Sequence, residues 1–118
     1  MFIKALKSKI HRATVTETRL EYPGSVAIDS ELMSAAGISP YEAVLLADVT
    51  NGSRSETYAV PAEPGSGKII VMGAAARVIN PKDVLIILNF GYFTPDEPAR
   101  LKPKVIVLDE NNKIKDSG

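Results

Sequence analysis

The chain has no cysteine and a single histidine, His11, among its 118 residues. Without thiols there is no thiolate nucleophile, no disulfide and no Cys-based zinc or iron–sulfur site. His11 alone makes no His-rich metal cluster, and no carboxylate metal site is signalled, so no metal is expected. There is no excess charge either: 14 Lys and Arg balance 14 Asp and Glu. A sequence-independent grip on nucleic acid needs a basic surplus, as does a polybasic membrane attachment. Long apolar runs are also missing, since none approaches the roughly 20 residues of a membrane span. Lysines interrupt the opening "MFIKALKSKI", which lacks the uncharged core of a signal peptide. The expectation is a soluble cytoplasmic protein with no nucleic-acid or membrane partner.

Length and apolar content suit one globular domain, 1–118, with its own core. There is no internal repeat and no linker. Turn signals are frequent and long helical patterns are few. Residues 13–17, "ATVTE", alternate and are rich in β-branched side chains, as a strand requires. So do 25–29, "SVAID". The stretch 30–37, "SELMSAAG", reads as one short helix with Ser30 as N-cap and Gly37 as its stop. Residues 43–50 and 55–62 read as a hairpin about Asn51-Gly52. Further strands are expected at 68–73, 84–90 and from 104 on, with a helical turn at 73–79 and a fraying tail. The sum is a mainly β fold, a closed or nearly closed barrel with short helical inserts.

Four stretches carry residues with chemistry in them. In "EYPGSVAID", Pro23-Gly24 turns the chain directly before Ser25. Ser25 reads either as a plain turn residue or as a nucleophile on its own backbone. A Ser Oγ lies near the preceding carbonyl, and glycine both tolerates unusual backbone angles and leaves that carbonyl unobstructed. Attack there turns an amide into an ester. Elimination and hydrolysis then leave a pyruvoyl group, a ketone made from the chain itself.

In "NGSRSETYAV", strand periodicity puts Arg54, Glu56 and Tyr58 on one face and Ser55, Thr57 and Ala59 on the other. Arg54 suits a carboxylate and Tyr58 suits proton donation. A solvated hairpin face is the plainer reading. If Thr57 and Tyr58 line one site, the strand must twist or bulge, or the site must be approached from two sides. In "KIHRATV", Lys9 and His11 share a face, either as polar tips of an edge strand or as partners of an acidic substrate. In "MGAAAR", Gly73, Ala74 and Ala75 leave backbone N–H groups open to an anion, or simply pack tightly on a sheet.

Together, "KIHRATVT", "YPGS", "AAGI", "VTNGSRSETYA" and "GAAA" resemble one family over nearly the whole chain, the pyruvoyl-dependent aspartate 1-decarboxylases. The resemblance implies a double-psi β-barrel and a homotetramer with active sites between subunits. It implies self-cleavage at Gly24–Ser25 into chains 1–24 and 25–118, with Ser25 as pyruvoyl precursor and Schiff-base partner of L-aspartate. It further implies that Thr57 assists processing and contacts substrate, and that Tyr58 donates the proton to Cα. Gly73, Ala74 and Ala75 would bind substrate through their backbone, and Lys9 and Arg54 through its carboxylates. His11 and Tyr22 would support them. The product would be β-alanine for pantothenate and coenzyme A biosynthesis. No maturation factor is implied. One departure stands out: family members often carry asparagine before "GAAA", and this chain has Met72, which offers no amide near the Gly24 carbonyl. That bears on maturation rather than on fold or substrate. Two other readings fit the residues: a non-catalytic barrel with Ser25 intact, and a pyruvoyl enzyme for another acidic amino acid.

Overall fold

The computed structural model describes residues 1–116. Its strands are β1 (Ile3–Thr14), β2 (Glu17–Arg19), β3 (Ser25–Asp29), β4 (Ala43–Asp48), β5 (Arg54–Ala62), β6 (Ile69–Met72), β7 (Val84–Phe93), β8 (Lys104–Leu108) and β9 (Ile114–Asp116). They form one sheet in the order β2-β6-β3-β5-β4-β7-β1-β8-β9. Only Val15 and Thr16 separate β1 from β2, so one bent stretch of chain fills both the first and the seventh places. The Thr16 N–H donates to the Ile69 carbonyl at 2.9 Å and carries the pairing across the bend. The sheet therefore curls back on itself, which is the mainly β barrel expected.

The winding has two interleaved insertions. β3 lies between β5, to which it runs parallel, and β6, to which it runs antiparallel. β1 lies between β8, parallel, and β7, antiparallel. In each case the two flanking strands are consecutive in sequence. A strand inserted in this way is what the double-psi expectation calls for.

β1 is far longer than the strand expected at 13–17. It starts at Ile3, and the chain breaks strand geometry after Thr14. Two register shifts against β7 explain why its alternation is hidden. One extra residue, Lys7, sits between Leu6 and Ser8, and another, Arg12, between His11 and Ala13. Arg12 has φ +67°, the left-handed conformation of a bulge residue. Each bulge resets the phase of the period-two pattern. Between them Ser8 and Ile10 face the core while Lys9 and His11 face outward.

The helix α1 (Ser30–Ala36) ends at Gly37 in the left-handed conformation, as its sequence requires. Its N-cap is Asp29, one residue before the expected Ser30. The Asp29 carboxylate accepts from the N–H groups of Glu31, Gly65 and Gly67 at 2.9–3.0 Å. Burial opposes its ionisation, but these three donors outweigh burial and hold its pKa below the usual value. A serine hydroxyl offers less to three donors than a carboxylate does. A second short helix, α2 (Glu97–Leu101), was not legible in the sequence. The expected helical turn at 73–79 is a 3₁₀ helix over Gly73–Arg77. The tail pairs as β9 through Asp116, and residues 117–118 of the expected fraying segment lie outside the described residues.

Ile10, Val26, Ile28, Leu46, Ile69, Val71 and Ile87 fill the barrel interior at 0% exposure. Each such side chain contributes about 1.5–3 kcal/mol by leaving water. All five residues of β3 are buried. The strand that opens at Ser25 is therefore locked from both edges and both faces. Among the described residues no helix is long and apolar enough to cross a membrane.

Candidate active site

Everything at the site turns on how the chain enters β3. Gly24 has φ +127° and Ser25 has φ +110°. The glycine accepts such an angle and the serine does not. A non-glycine residue held there carries about 1–3 kcal/mol of strain and persists only where its surroundings over-determine it. Those surroundings are visible: Ser25 is 4% exposed and pairs with Met72 on β6, and the next residue, Val26, pairs with Val71 and Ala59.

Gly73 supplies the other side of the clamp. A Cβ on Gly73 would lie 2.6 Å from Gly24 Cα, 2.8 Å from Gly24 N and 2.9 Å from the Tyr22 carbonyl oxygen. Only a hydrogen fits between the two backbones. Gly73 itself has φ +81°, a second reason for glycine there. Tyr22 is held from outside by Arg19, whose guanidinium lies 5.5 Å from the ring centre and donates to the Tyr22 hydroxyl at 3.3 Å.

A cleft of about 290 Å³ opens over this turn, lined by Pro23, Gly24, Glu56, Thr57, Tyr58, Met72, Ala74 and Ala75. That is the low end of the range for small-molecule sites and suits a small substrate. It brings Thr57 and Tyr58 to one place although they point to opposite faces of β5. No bulge is involved, because β5 keeps an unbroken register with β4 from Arg54 to Tyr58. Instead, β5 borders β3 only from Ala59 onward. Before that point its edge is open, and the Gly24 turn lies beside it. A cleft along that edge touches consecutive residues from the side. Glu56, read from the sequence as a solvated face residue, is the one charged residue in this lining.

The 3₁₀ helix that follows Met72 has no side-chain cap at its start. Methionine cannot supply one. The first N–H groups of Gly73–Ala75 therefore have no side chain capping them, and Ala74 and Ala75 line the cleft.

Lys9, His11 and Arg54 do not line this cleft. Their positions follow from the ladder. Lys9, Leu88, Leu45 and Glu56 form one cross-strand row, and His11, Ile86, Ala47 and Arg54 form the next. Residues in one row share a face, so Lys9, His11 and Arg54 all lie on the outer face of β1-β7-β4-β5. Three inter-strand steps of about 4.8 Å separate Lys9 from β5. Arg54 is four residues from Tyr58 along one strand, roughly 13 Å. Around these residues this outer face is apolar and only half buried, with Leu45, Ile86, Leu88 and Phe90 on β4 and β7 and Val105 and Val107 on β8 beyond β1. His11 Nδ1 is buried without a hydrogen-bond partner.

Two buried carboxyls pin neighbouring turns, Asp48 the one that presents Arg54 and Asp83 the one at Asn80. Asp48 accepts from the Thr50 N–H at 2.8 Å and the Asn51 N–H at 3.3 Å, and Asp83 accepts from the Asn80 N–H at 2.9 Å. Burial pushes the Asp48 pKa up, and the neighbouring Asp83 pushes it further.

A family model described as "Aspartate decarboxylase" matches residues 1–115. The chain belongs to that family. Aspartate 1-decarboxylase of Acetivibrio thermocellus is 52% identical over 114 residues, covering 97% of this chain and 90% of that protein. Aspartate 1-decarboxylase of Listeria welshimeri is 49% identical over the same length and coverage. Among solved structures, the rationally designed mkDPBB_sym_86 protein aligns with 72% of this chain and 94% of its own, at 16% identity and a TM-score of 0.49. For a family member the cleft has a further meaning. Its Gly24, Thr57, Tyr58, Ala74 and Ala75 were all singled out by sequence, and Ser25 and Gly73 lie directly behind them. Pro23 and Glu56 of the lining were not, and neither was Tyr41, which lies outside the lining beside Tyr58. The Tyr41 ring lies beside that of Tyr58, tilted by 33° with ring centres 6.2 Å apart. Its only sequence signal is the Ser-Pro turn that precedes it.

Proposed function

We propose that this chain is an aspartate 1-decarboxylase that makes its own pyruvoyl group by breaking the Gly24–Ser25 bond. The observation that carries the reading is the φ of +110° at a buried serine, clamped against a glycine that Gly73 holds in place. In maturation, Ser25 Oγ attacks the Gly24 carbonyl carbon. The C–N bond breaks, the nitrogen takes a proton, and the amide becomes an ester. Loss of the Ser25 Cα proton expels the Gly24 carboxylate from Cβ and leaves dehydroalanine. Water then gives the ketone and releases ammonia. The chain becomes 1–24 and 25–118. Strain at Ser25 lowers the barrier because the amide is lifted toward the bent geometry of attack. Thr57 lines the same cleft and is assigned to assist this step.

The residues around position 25 fit such a group: a small buried side chain, backbone on both flanks, and a cleft in front. A pyruvoyl ketone there supplies an electron sink for the pair left when the α-carboxylate departs as CO₂. The protein's own groups do the rest. Tyr58 delivers a proton to Cα. The uncapped N–H groups of Gly73–Ala75 are assigned to hold a carboxylate, which favours an acidic substrate. Arg54 and Lys9 neutralise and orient the carboxylate that survives. His11 and Tyr22 support their neighbours. Rate comes from holding the carbanion's charge rather than from tight substrate binding.

Lys9 and Arg54 reach such a cleft only from another copy. The half-exposed apolar face that carries them supports a homotetramer with active sites between subunits. The reading places the enzyme in the cytoplasm, supplying β-alanine for pantothenate and coenzyme A biosynthesis. The Ser25→Ala variant tests it: the chain stays whole and forms no β-alanine from L-aspartate. A Ser25→Ala protein that still decarboxylates aspartate refutes the role given to Ser25. A wild-type chain that stays whole and inactive favours a non-catalytic module of the same fold.

A further inference from the structure

We propose that Tyr41 is a positioning residue for Tyr58, held in a strained conformation for that purpose. The proposal rests on the reading of Tyr58 as proton donor. Tyr41 has φ +72°, the left-handed region that a bulky side chain enters only at a cost. It is 75% exposed, so burial of its ring is no compensation. The ring lies against that of Tyr58, 6.2 Å between centres and tilted by 33°. Aromatic pairs at this separation attract each other and favour defined relative orientations.

The turn that carries Tyr41 is bolted to the strand that carries Tyr58. The Tyr41 N–H donates to the Ala59 carbonyl at 2.7 Å, and the Ala59 N–H donates to the Glu42 carbonyl at 3.0 Å. Ala59 is the next residue after Tyr58. Glu42 then ties the turn to the barrel. Its carboxylate accepts from Lys7 Nζ at 2.6 and 2.8 Å, from the Ser39 N–H at 2.8 Å and from Asn89 Nδ2 at 3.3 Å. Asn89 is fully buried. Strain survives where the surroundings over-determine it, and here they do so at a residue whose side chain touches a proposed catalytic group. Tyr58 is 39% exposed on an open strand edge. Without the Tyr41 ring its phenol swings through a wider arc, and its proton reaches Cα from more than one direction.

The test uses the full-length, self-cleaved protein, with rates expressed per cleaved chain. Tyr41→Gly removes both ring and strain, Tyr41→Asn keeps the left-handed backbone and removes the ring, and Tyr41→Phe keeps the ring. Tyr41→Gly and Tyr41→Asn are expected to lower kcat by about 10- to 100-fold, the scale on which catalytic groups suffer from misplacement. KM stays within about twofold, since uniform binding is untouched. In D₂O the deuterium incorporated at the former Cα loses its stereochemical purity, a readout that mere destabilisation does not move. Tyr41→Phe retains wild-type kcat and stereochemistry. Tyr41→Gly melts no lower than wild type, because glycine takes this φ freely. Wild-type kcat and stereochemistry in Tyr41→Gly and Tyr41→Asn, beside an inactive Tyr58→Phe, overturn the proposal and leave the role of Tyr58 standing. A fully active Tyr58→Phe removes that role and the proposal with it.

Discussion

Replacing Gly73 with alanine puts the clamp on the scissile bond to a quantitative test. The new methyl carbon would sit 2.6 Å from Gly24 Cα, 2.8 Å from Gly24 N and 2.9 Å from the Tyr22 oxygen. All three are backbone atoms, so no flexible side chain can move aside. Carbon–carbon contacts are comfortable at about 3.5–4.0 Å. The Tyr22–Gly24 segment or the 3₁₀ helix must therefore shift by about 1 Å. Two costs add. Alanine at φ +81° costs about 1–2 kcal/mol, and overpacking costs typically about 1–3 kcal/mol. The expected loss is about 2–5 kcal/mol, read as a lower urea midpoint with an unchanged m-value. Moving Gly24 also relaxes the strained entry to Ser25, so cleavage is expected to slow by a larger factor than stability predicts. Intact-mass analysis of samples taken over time gives that rate. Gly24→Ala is the companion: nothing lies within 4 Å of its Cβ, so any effect there is one of backbone angle alone. A Gly73→Ala protein with wild-type stability and a wild-type cleavage rate refutes the account of the clamp.

Met72→Asn places an amide beside the Gly24 carbonyl, where it can polarise the bond under attack. Cleavage is expected to accelerate by about tenfold or more, and unchanged kinetics would show that Met72 is no handicap. Asp48→Asn keeps the acceptor for Thr50 and Asn51 and puts an uncharged amide where the Asp48 carboxyl faces Asp83. The Asp48 pKa is raised on folding, so its stabilising form prevails below the ordinary carboxylate pKa and is lost as pH rises through the folded value. The stability of Asp48→Asn relative to wild type should therefore grow from about pH 4 toward neutrality; a difference independent of pH contradicts this. Leu88→Asp puts a charge in the half-buried row between Lys9 and Glu56. It is expected to dissociate the assembly in sedimentation and to abolish activity without unfolding the barrel, and an intact, active assembly would exclude that face as the interface.

Legibility in the sequence followed periodicity. β3, β4 and β5 alternate or run apolar between clear turn residues, and the Asn51-Gly52 turn fixes the β4–β5 register. β1 hid because Lys7 and Arg12 are inserted into it, and a period-two pattern with two insertions no longer reads as one strand. α2 hid because it is short, carries a proline and buries none of its residues. Asp29 rather than Ser30 caps α1 because the carboxylate also gathers the distant N–H groups of Gly65 and Gly67, a reason no local window contains. At the site, Gly24, Ser25 and Gly73 were visible as residue types. Their shared cause, two backbones in contact across some 50 residues of sequence, is tertiary. Lys9 and Arg54 were legible as cations for an acidic substrate, yet one chain places both on its outer face. Tyr41 gave almost no signal, because its partner lies far along the chain and its backbone angle runs against its own preference.

The decisive measurement is the mass of the purified wild-type chain under denaturing conditions. The account predicts two polypeptides, 1–24 and 25–118, the larger blocked at its N-terminus by a ketone that borohydride reduces. One unbroken chain, unchanged after prolonged warming of the native assembly, contradicts it.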